Sequence, residues 1–347
     1  MNKEIILETP FLALLYPFRV DEEGIKTVYE KQELCFKFIN SPRIKELNIL
    51  ENEVNLIQNK KQQIKFISKV IHYKRIEENL LQKYIQTRIE KIKNQIETYL
   101  CSSIPNAFWN RKQHKVSLPH VDGFDESQIP TKARPIQMNA QLLEYRKEEI
   151  KDLLNKNLIR KSQSPWSCAT FYVKKPLEIE KGAPILVINY KPLNKVLKWI
   201  RYPIPNKRGL IVCLYNASIF SKFDMKFGFR QIQLHEHDKY KTAFTIPFGH
   251  CEWNVMPFGL KNASSEFQNI MHNIFNSYTN FSLIYIDDVL IFSNSIEHRF
   301  KHLEIFQKIV KENGLVVSAP NIKLFQTRIR FIGFESTNVQ SSQFKGQ

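Results

Sequence analysis

The chain has 347 residues, 43% of them hydrophobic and 12% aromatic, enough apolar surface for a packed core, so wholesale disorder is excluded. Its 51 Lys and Arg outnumber 34 Asp and Glu, and the net charge of +17 makes a polyanion, nucleic acid above all, the first partner to consider. The five cysteines (Cys35, Cys101, Cys168, Cys213, Cys251) form no CxxC or Cys/His pair, which argues against a zinc site or a disulfide framework and suits a reducing compartment.

The N-terminal stretch MNKEIILETPFLALLYPF is broken by Glu4, Glu8 and Pro10, and no run of about 18 apolar residues follows anywhere. The chain therefore reads as intracellular (cytoplasmic or nuclear), not secreted and without a membrane partner. Residues 1–40 hold short apolar runs suited to strands. From about 52 to 100 there is no Gly or Pro, and apolar residues recur at Ile57, Ile64, Ile67, Ile71, Leu81, Ile85, Ile89, Ile92, Ile96 and Leu100. Steps of mostly three and four predict one or two long amphipathic helices, read as a solvated linker or arm. Pro105, Pro119, Pro130 and Pro135 then punctuate a loop-rich connector.

Residues 139–335 read as one α/β domain. A helical stripe runs through Leu143, Ile150, Leu153 and Leu158, and TFYVKK and PILVINY are strand-like. ASIFSKFDM is a strand ending in an acid, and SSEFQNIMHNIFNSY is a helix. SLIYIDDVLIFS is two strands about a tight turn. A helix starting at Asn294, with Glu297 in capping-box spacing, runs to Gly314, and IRFIGFE supplies the last strand. Strand, helix, strand, strand, helix, strand is the split βαβ plan of a ferredoxin-like sheet.

In that plan Asp224, closing the first strand, comes near Asp287 and Asp288. By itself the acid pair also fits an ordinary solvated hairpin turn. Three converging carboxylates repel one another unless cations sit between them. Mg²⁺ suits hard oxygen ligands, and two such ions hold the attacking and leaving oxygens in the phosphoryl transfers of polymerases and nucleases.

The wording around the acids is more specific. KARPIQMN, SPWSCATFYVKK, VINYKPLN, YPIPN, FSKFDMKFGFRQIQL, KTAFTIPFGHCEWNVMPFGLKNASSEFQ and YIDDVLIFS follow one another between residues 129 and 335. In order and spacing this text resembles the reverse transcriptases of plant pararetroviruses and gypsy-type retroelements. The resemblance implies an α+β fold: polymerase fingers and a ferredoxin-like split βαβ palm, preceded by a long helical linker and a short β-rich protease remnant. It implies domains at 1–40 (the tail of a retropepsin-like aspartic protease, from ETPFLALLYPF), 41–115 (the linker) and 116–335 (fingers and palm). Residues 336–347 form a tail unlike the family. No Asp-Thr-Gly or Asp-Ser-Gly triplet occurs, so no protease activity is expected. Because STNVQSSQFKGQ follows FIGFE, thumb and ribonuclease H are expected to be absent.

The resemblance also implies site roles. Asp224, Asp287 and Asp288 match the catalytic, metal-binding triad, holding two Mg²⁺ with Mn²⁺ as an alternative. Phe229 matches the aromatic that blocks a ribose 2′-OH. Phe258, Gly259, Lys261 and Gln268 match the nucleotide site, and Lys174, Lys175, Tyr285, Phe331 and Gly333 match template and primer contacts. Implied partners are an RNA or DNA template with primer, and dNTPs. Four positions depart from the pattern. Ile185 stands where a basic residue contacts the triphosphate, Phe227 replaces Ser, Arg230 replaces an aromatic, and Ser264 replaces Pro. Ile185, Arg230 and the expected absence of the thumb keep a second reading open, a catalytically silent remnant that at most binds nucleic acid. A two-metal nuclease or phosphatase would use similar acids but leaves Phe229 and the ordered motifs without a role.

Overall fold

The computed structural model describes residues 17–20, 23–29, 32–37, 44–101, 114–131, 133–134, 140–173, 185–206, 209–210, 213–214, 217–336 and 341–343. Contacts divide the chain into two units, Met1–Arg75 and Ile76–Gln347. In the first, strands β1 (Phe18–Val20), β2 (Gly24–Tyr29) and β3 (Gln32–Lys37) form an antiparallel meander. Residues 8–16 of ETPFLALLYPF lie outside the described residues. Helix α1 spans Ile44–Leu80, and its Ile64, Ile67 and Ile71 are exposed.

The second unit carries the core. Helix α2 (Lys83–Leu100) buries Ile85, Ile92, Ile96 and Leu100. The expectation of a solvated linker is therefore corrected for this helix, whose isoleucine stripe packs against the main body. Arg88 anchors it, forking to Glu297 at 2.8 and 3.3 Å and lying 3.9 Å over the Phe300 ring. Next come α3 (Ala140–Asn155), β4 (Ile159–Lys161), β5 (Thr170–Val173), β6 (Ile185–Ile188) and α4 (Lys191–Val196). β5 and β6 pair antiparallel, and β4 joins β8 (Phe244–Ile246) and β9 (Gly249–Trp253) through the order β8-β9-β4.

The sheet that positions the acids is built from β7 (Ile219–Asp224), β10 (Ser282–Tyr285), β11 (Asp288–Ser293) and β12 (Lys323–Gln326), in the order β10-β11-β7-β12. Helices α5 (Ala263–Phe275) and α6 (Ile296–Glu312) complete the split βαβ plan. Strand period two sorts β7 between two apolar clusters. Ile219 and Phe223 join the cluster shared with Phe267, Met271, Phe306 and Val310 of the helices, whereas Phe220 joins Leu290, Phe292, Ile329 and Phe331 on the opposite face.

Two sequence readings are corrected here. The fourth palm strand is KLFQ at Lys323–Gln326, not IRFIGFE. IRFIGFE instead folds back on itself as β13 (Ile329–Phe331) and β14 (Phe334–Ser336), which continue to β15 (Ser341–Gln343). Ile332 and Gly333, both at positive φ, make the two-residue turn that a tight hairpin favours. At the start of α6 the cap is Ser295, whose Oγ accepts from the His298 N–H, while Glu297 is committed to Arg88 instead of a capping box. The predicted stop holds: Gly314 has φ +65°, and the Leu315 N–H closes on the Val310 carbonyl at 3.0 Å.

Candidate active site

Asp224 ends β7 and Asp288 begins β11, and the two are direct cross-strand partners. Like charges placed opposite each other are destabilising. Asp287 occupies the two-residue turn between β10 and β11, where its carbonyl accepts the Met225 N–H at 2.9 Å and ties the turn to the end of β7. Burial raises the Asp224 pKa above the usual carboxylate range; the Asn321 hydrogen bond opposes this and the Asp288 charge adds to it. Asp287 is exposed at the turn's tip, yet the protein crowded around its carboxylate and the charges of Asp224 and Asp288 push its pKa up too.

The turn itself is strained. Ile286 has φ +55°, a region that β-branched residues avoid. Gln268 of α5 holds it: its Oε1 accepts the Ile286 N–H at 2.6 Å, and its Nε2 donates to the Ile284 carbonyl at 3.5 Å. Gln268 is fully buried behind the hairpin. It therefore positions the Asp287 turn and is not open to a nucleotide, which revises its expected role.

The loop after Asp224 abuts this turn from the other side. A Cβ added at Gly228 would lie 3.2 Å from the Asp287 Cβ and 3.2 Å from the Phe267 ring, so only glycine lets the loop approach so closely. Phe229 packs edge-on against Phe258 (5.3 Å between centroids) and Phe267 (5.7 Å). Phe258 is exposed on one side, and Gly259 has φ +92°. Asn194 clamps this segment, donating to the Gly259 carbonyl at 2.8 Å and accepting the Lys261 N–H at 2.9 Å. The Lys261 ammonium donates to the Leu197 carbonyl. Arg230, in the place of an aromatic, is partly buried among rings. Its guanidinium sits 5.2 to 5.8 Å from the rings of Trp253, Phe227 and Phe258, a cation–π cage, and burial lowers its pKa. Ser264 lies in the first turn of α5 behind its cap Asn262, so it does not cap the helix.

Tyr285 pairs across the hairpin with Asp288 and packs, half-buried, against the apolar cluster that includes Leu283, Leu290 and Phe331. Lys174 and Lys175 lie outside the described residues. Two partners of the triad escaped the sequence reading. Lys222 Nζ donates to Asp288 Oδ1 at 2.7 Å, and Asn321 Nδ2 donates to Asp224 Oδ2 at 2.7 Å. The signal for Lys222 was its spacing, two residues before Asp224 on one strand. Nothing local marks Asn321, which arrives from 97 residues away.

Among the described residues no three His, Cys, Asp or Glu side chains converge as a ready metal cage. The reason is visible in the pairs just given, since Asp224 and Asp288 direct oxygens to Asn321 and Lys222. The donor set itself, three hard carboxylates of which two stand opposite each other and raise each other's cost, fits a divalent cation such as Mg²⁺. Among the same residues no helix is long and apolar enough to cross a membrane.

Residues 174–336 match the family model described as "Reverse transcriptase (RNA-dependent DNA polymerase)". The chain is 38% identical over 264 residues to the genome polyprotein of Petunia vein clearing virus, covering 74% of the chain and 12% of that polyprotein. It is 34% identical over 255 residues to the enzymatic polyprotein of Cauliflower mosaic virus, covering 72% and 36% respectively. The chain thus spans a minor part of the length of these relatives. In fold it is similar to a foamy viral protease-reverse transcriptase solved with an RNA/DNA hybrid (TM-score 0.65, 19% identity, 79% of this chain and 36% of that one). The same protein solved with double-stranded DNA gives a TM-score of 0.64 at 20% identity, covering 79% and 56%.

Proposed function

Residues 174–336 belong to the reverse transcriptase family, by family an RNA-directed DNA polymerase, and on that premise we propose that this chain extends a primer along an RNA or DNA template. In the net reaction a primer 3′-OH displaces pyrophosphate from a dNTP. The observation that carries the reading is the placement of Asp224 opposite Asp288, with Asp287 in the adjoining turn, on the sheet face away from the helices. Asp224, Asp287 and Asp288 would hold two Mg²⁺, or Mn²⁺, which when bound supply charge stabilisation at the attacking and leaving oxygens.

The chain's own residues do the rest. Phe229, braced by Phe258 and Phe267 and next along the chain from the Gly228 that abuts Asp287, would leave no room for a ribose 2′-OH. Phe258 and Gly259, fixed by Asn194, line the entry of the incoming nucleotide. The hairpin of Phe331 and Gly333, whose Phe331 shares an apolar cluster with Tyr285, would bear on the primer terminus. By the same resemblance, Lys174 and Lys175 would supply cations to template phosphates. The relatives solved with an RNA/DNA hybrid and with double-stranded DNA support nucleic acid as the partner, as does the charge of +17.

One observation favours the second reading, a silent chain that only binds nucleic acid: Ile185 opens β6 and brings no cation to the triphosphate. Losing such a charge-assisted contact costs about 1.5–3 kcal/mol. Primer extension with Mg²⁺ or Mn²⁺, native against Asp287→Asn, decides between them. Extension by the native chain alone supports polymerisation. Equal extension by both sinks it, and salt-dependent binding without extension supports the silent reading.

A further inference from the structure

One basic residue bonded to the triad is on the same strand as Asp224. Lys222 and Asp224 are two apart on β7, so both point to the face away from the helices. The Lys222 ammonium bridges to β11 and meets Asp288 at 2.7 Å, with the two side chains only 23% and 26% exposed. Several other lysine pairs among the described residues are more open; Lys198 and Asp122, for instance, are 55% and 92% exposed at 3.4 Å, although Lys241 and Asp238 are more buried. On its other side the same ammonium lies 6.0 Å from the centroid of Phe331, in the hairpin beside the sheet. Lys222 thus stands between a carboxylate of the proposed metal site and the segment assigned to the primer terminus.

We propose that Lys222 is a resident counter-cation of the triad. It pairs with Asp288 in the metal-free chain, gives up that carboxylate when a divalent cation binds, and moves toward the face of the Phe331 ring. The inference rests on the reading of Asp224, Asp287 and Asp288 as a metal site. Two positive species compete for one carboxylate, so the pair lowers metal affinity while it offsets the repulsion between Asp224 and Asp288 in the metal-free state. The aromatic face supplies a second favourable position for the ammonium, which eases the exchange. Lys222 is in this sense a positioning residue, acting on the reaction through Asp288.

The test is Mn²⁺ binding to the full chain without primer or dNTP, followed by the electron paramagnetic resonance signal of free Mn²⁺, with Asp287→Asn as the reference for binding at the triad. Lys222→Met keeps the aliphatic stem and removes the charge. It should tighten Asp287-dependent Mn²⁺ binding about fivefold, the ratio an ion pair of this exposure supplies. The metal-free melting temperature should fall at the same time. Lys222→Arg should stay near the native affinity. Phe331→Leu should weaken Mn²⁺ binding about twofold in the native background and leave it unchanged with Lys222→Met. Lys222→Gln provides a second neutral variant if the methionine form folds poorly. Equal or weaker Mn²⁺ binding by the neutral variants overturns the proposal. So does an absence of Asp287-dependent binding in both native and neutral chains, which removes the metal site as well. Failure of the polymerase reading shows elsewhere, as a native chain that binds Mn²⁺ at the triad and extends no primer.

Discussion

The two faces of the palm sheet are made by the same strands and do opposite things. Toward the helices, β7 points Ile219 and Phe223 into a fully buried cluster, with Phe223 stacked on Phe306 at 4.2 Å. Toward the other side it points Phe220, Lys222 and Asp224, where apolar packing gives way within one strand to paired charge. One face supplies stability, and the other holds carboxylates whose mutual repulsion the fold tolerates because the first face is so well packed. A rigid strand anchored from behind is what lets acids be held in place at the front.

Substitutions on each face test this division. The largest loss of stability should come from Phe223→Ala, about 3–5 kcal/mol by urea unfolding; a loss under about 1 kcal/mol would mean the helix face is not the anchor. Asp287→Asn, on the other face, should cut primer extension by about a hundredfold or more. The same substitution should leave the metal-free melting temperature unchanged or raise it.

Gln268→Leu falls between the two classes. It leaves the Ile286 N–H without its acceptor, costs about 1–3 kcal/mol, and should reduce extension beyond what the stability loss explains, because the turn bearing Asp287 is released.

A pH series sharpens the contrast. Asp224 and Asp287 are both held above the usual carboxylate range, burial being the first cause. The folded state then binds their protons more tightly than the unfolded chain does. Their contribution to stability is present below the unfolded pKa and is lost as pH rises through the raised values. Between about pH 4 and pH 7, metal-free native protein should therefore lose more stability than Asp287→Asn, read as the difference between their melting temperatures. Parallel curves would count against the crowding of the acids. The smallest effect is expected from Glu297→Ala, whose exposed pair with Arg88 is worth under about 1 kcal/mol.

Most of the palm is legible in the amino-acid sequence. SLIYIDDVLIFS has strand period on both sides of its acids, so the hairpin of β10 and β11 and the place of Asp287 in its turn follow from local pattern. The isoleucines of α1 and α2 are legible as stripes too, but not their fates. Ile64, Ile67 and Ile71 are exposed while Ile85, Ile92 and Ile96 are buried, and a period says only that a face exists. KLFQ is four residues long and IRFIGFE reads better as a strand, yet KLFQ takes the edge of the palm sheet. Competition between short strands is settled by which one reaches the free edge of β7.

The amino-acid sequence by itself determined the acid-bearing hairpin and the helices on either side of it, the face that β7 gives to each residue, and the three carboxylates with the motif wording around them. These depend on periods of two and 3.6 residues and on motif wording, which are properties of neighbours along the chain. Only the tertiary structure decided who pairs with whom: Lys222 with Asp288, Asn321 with Asp224, Gln268 with the backbone of Ile286, Arg88 with Glu297, and Arg230 with its three rings. Most of those partners lie far apart in sequence, and a polar side chain's choice among several reachable groups depends on burial and distance, which exist only once the chain has folded.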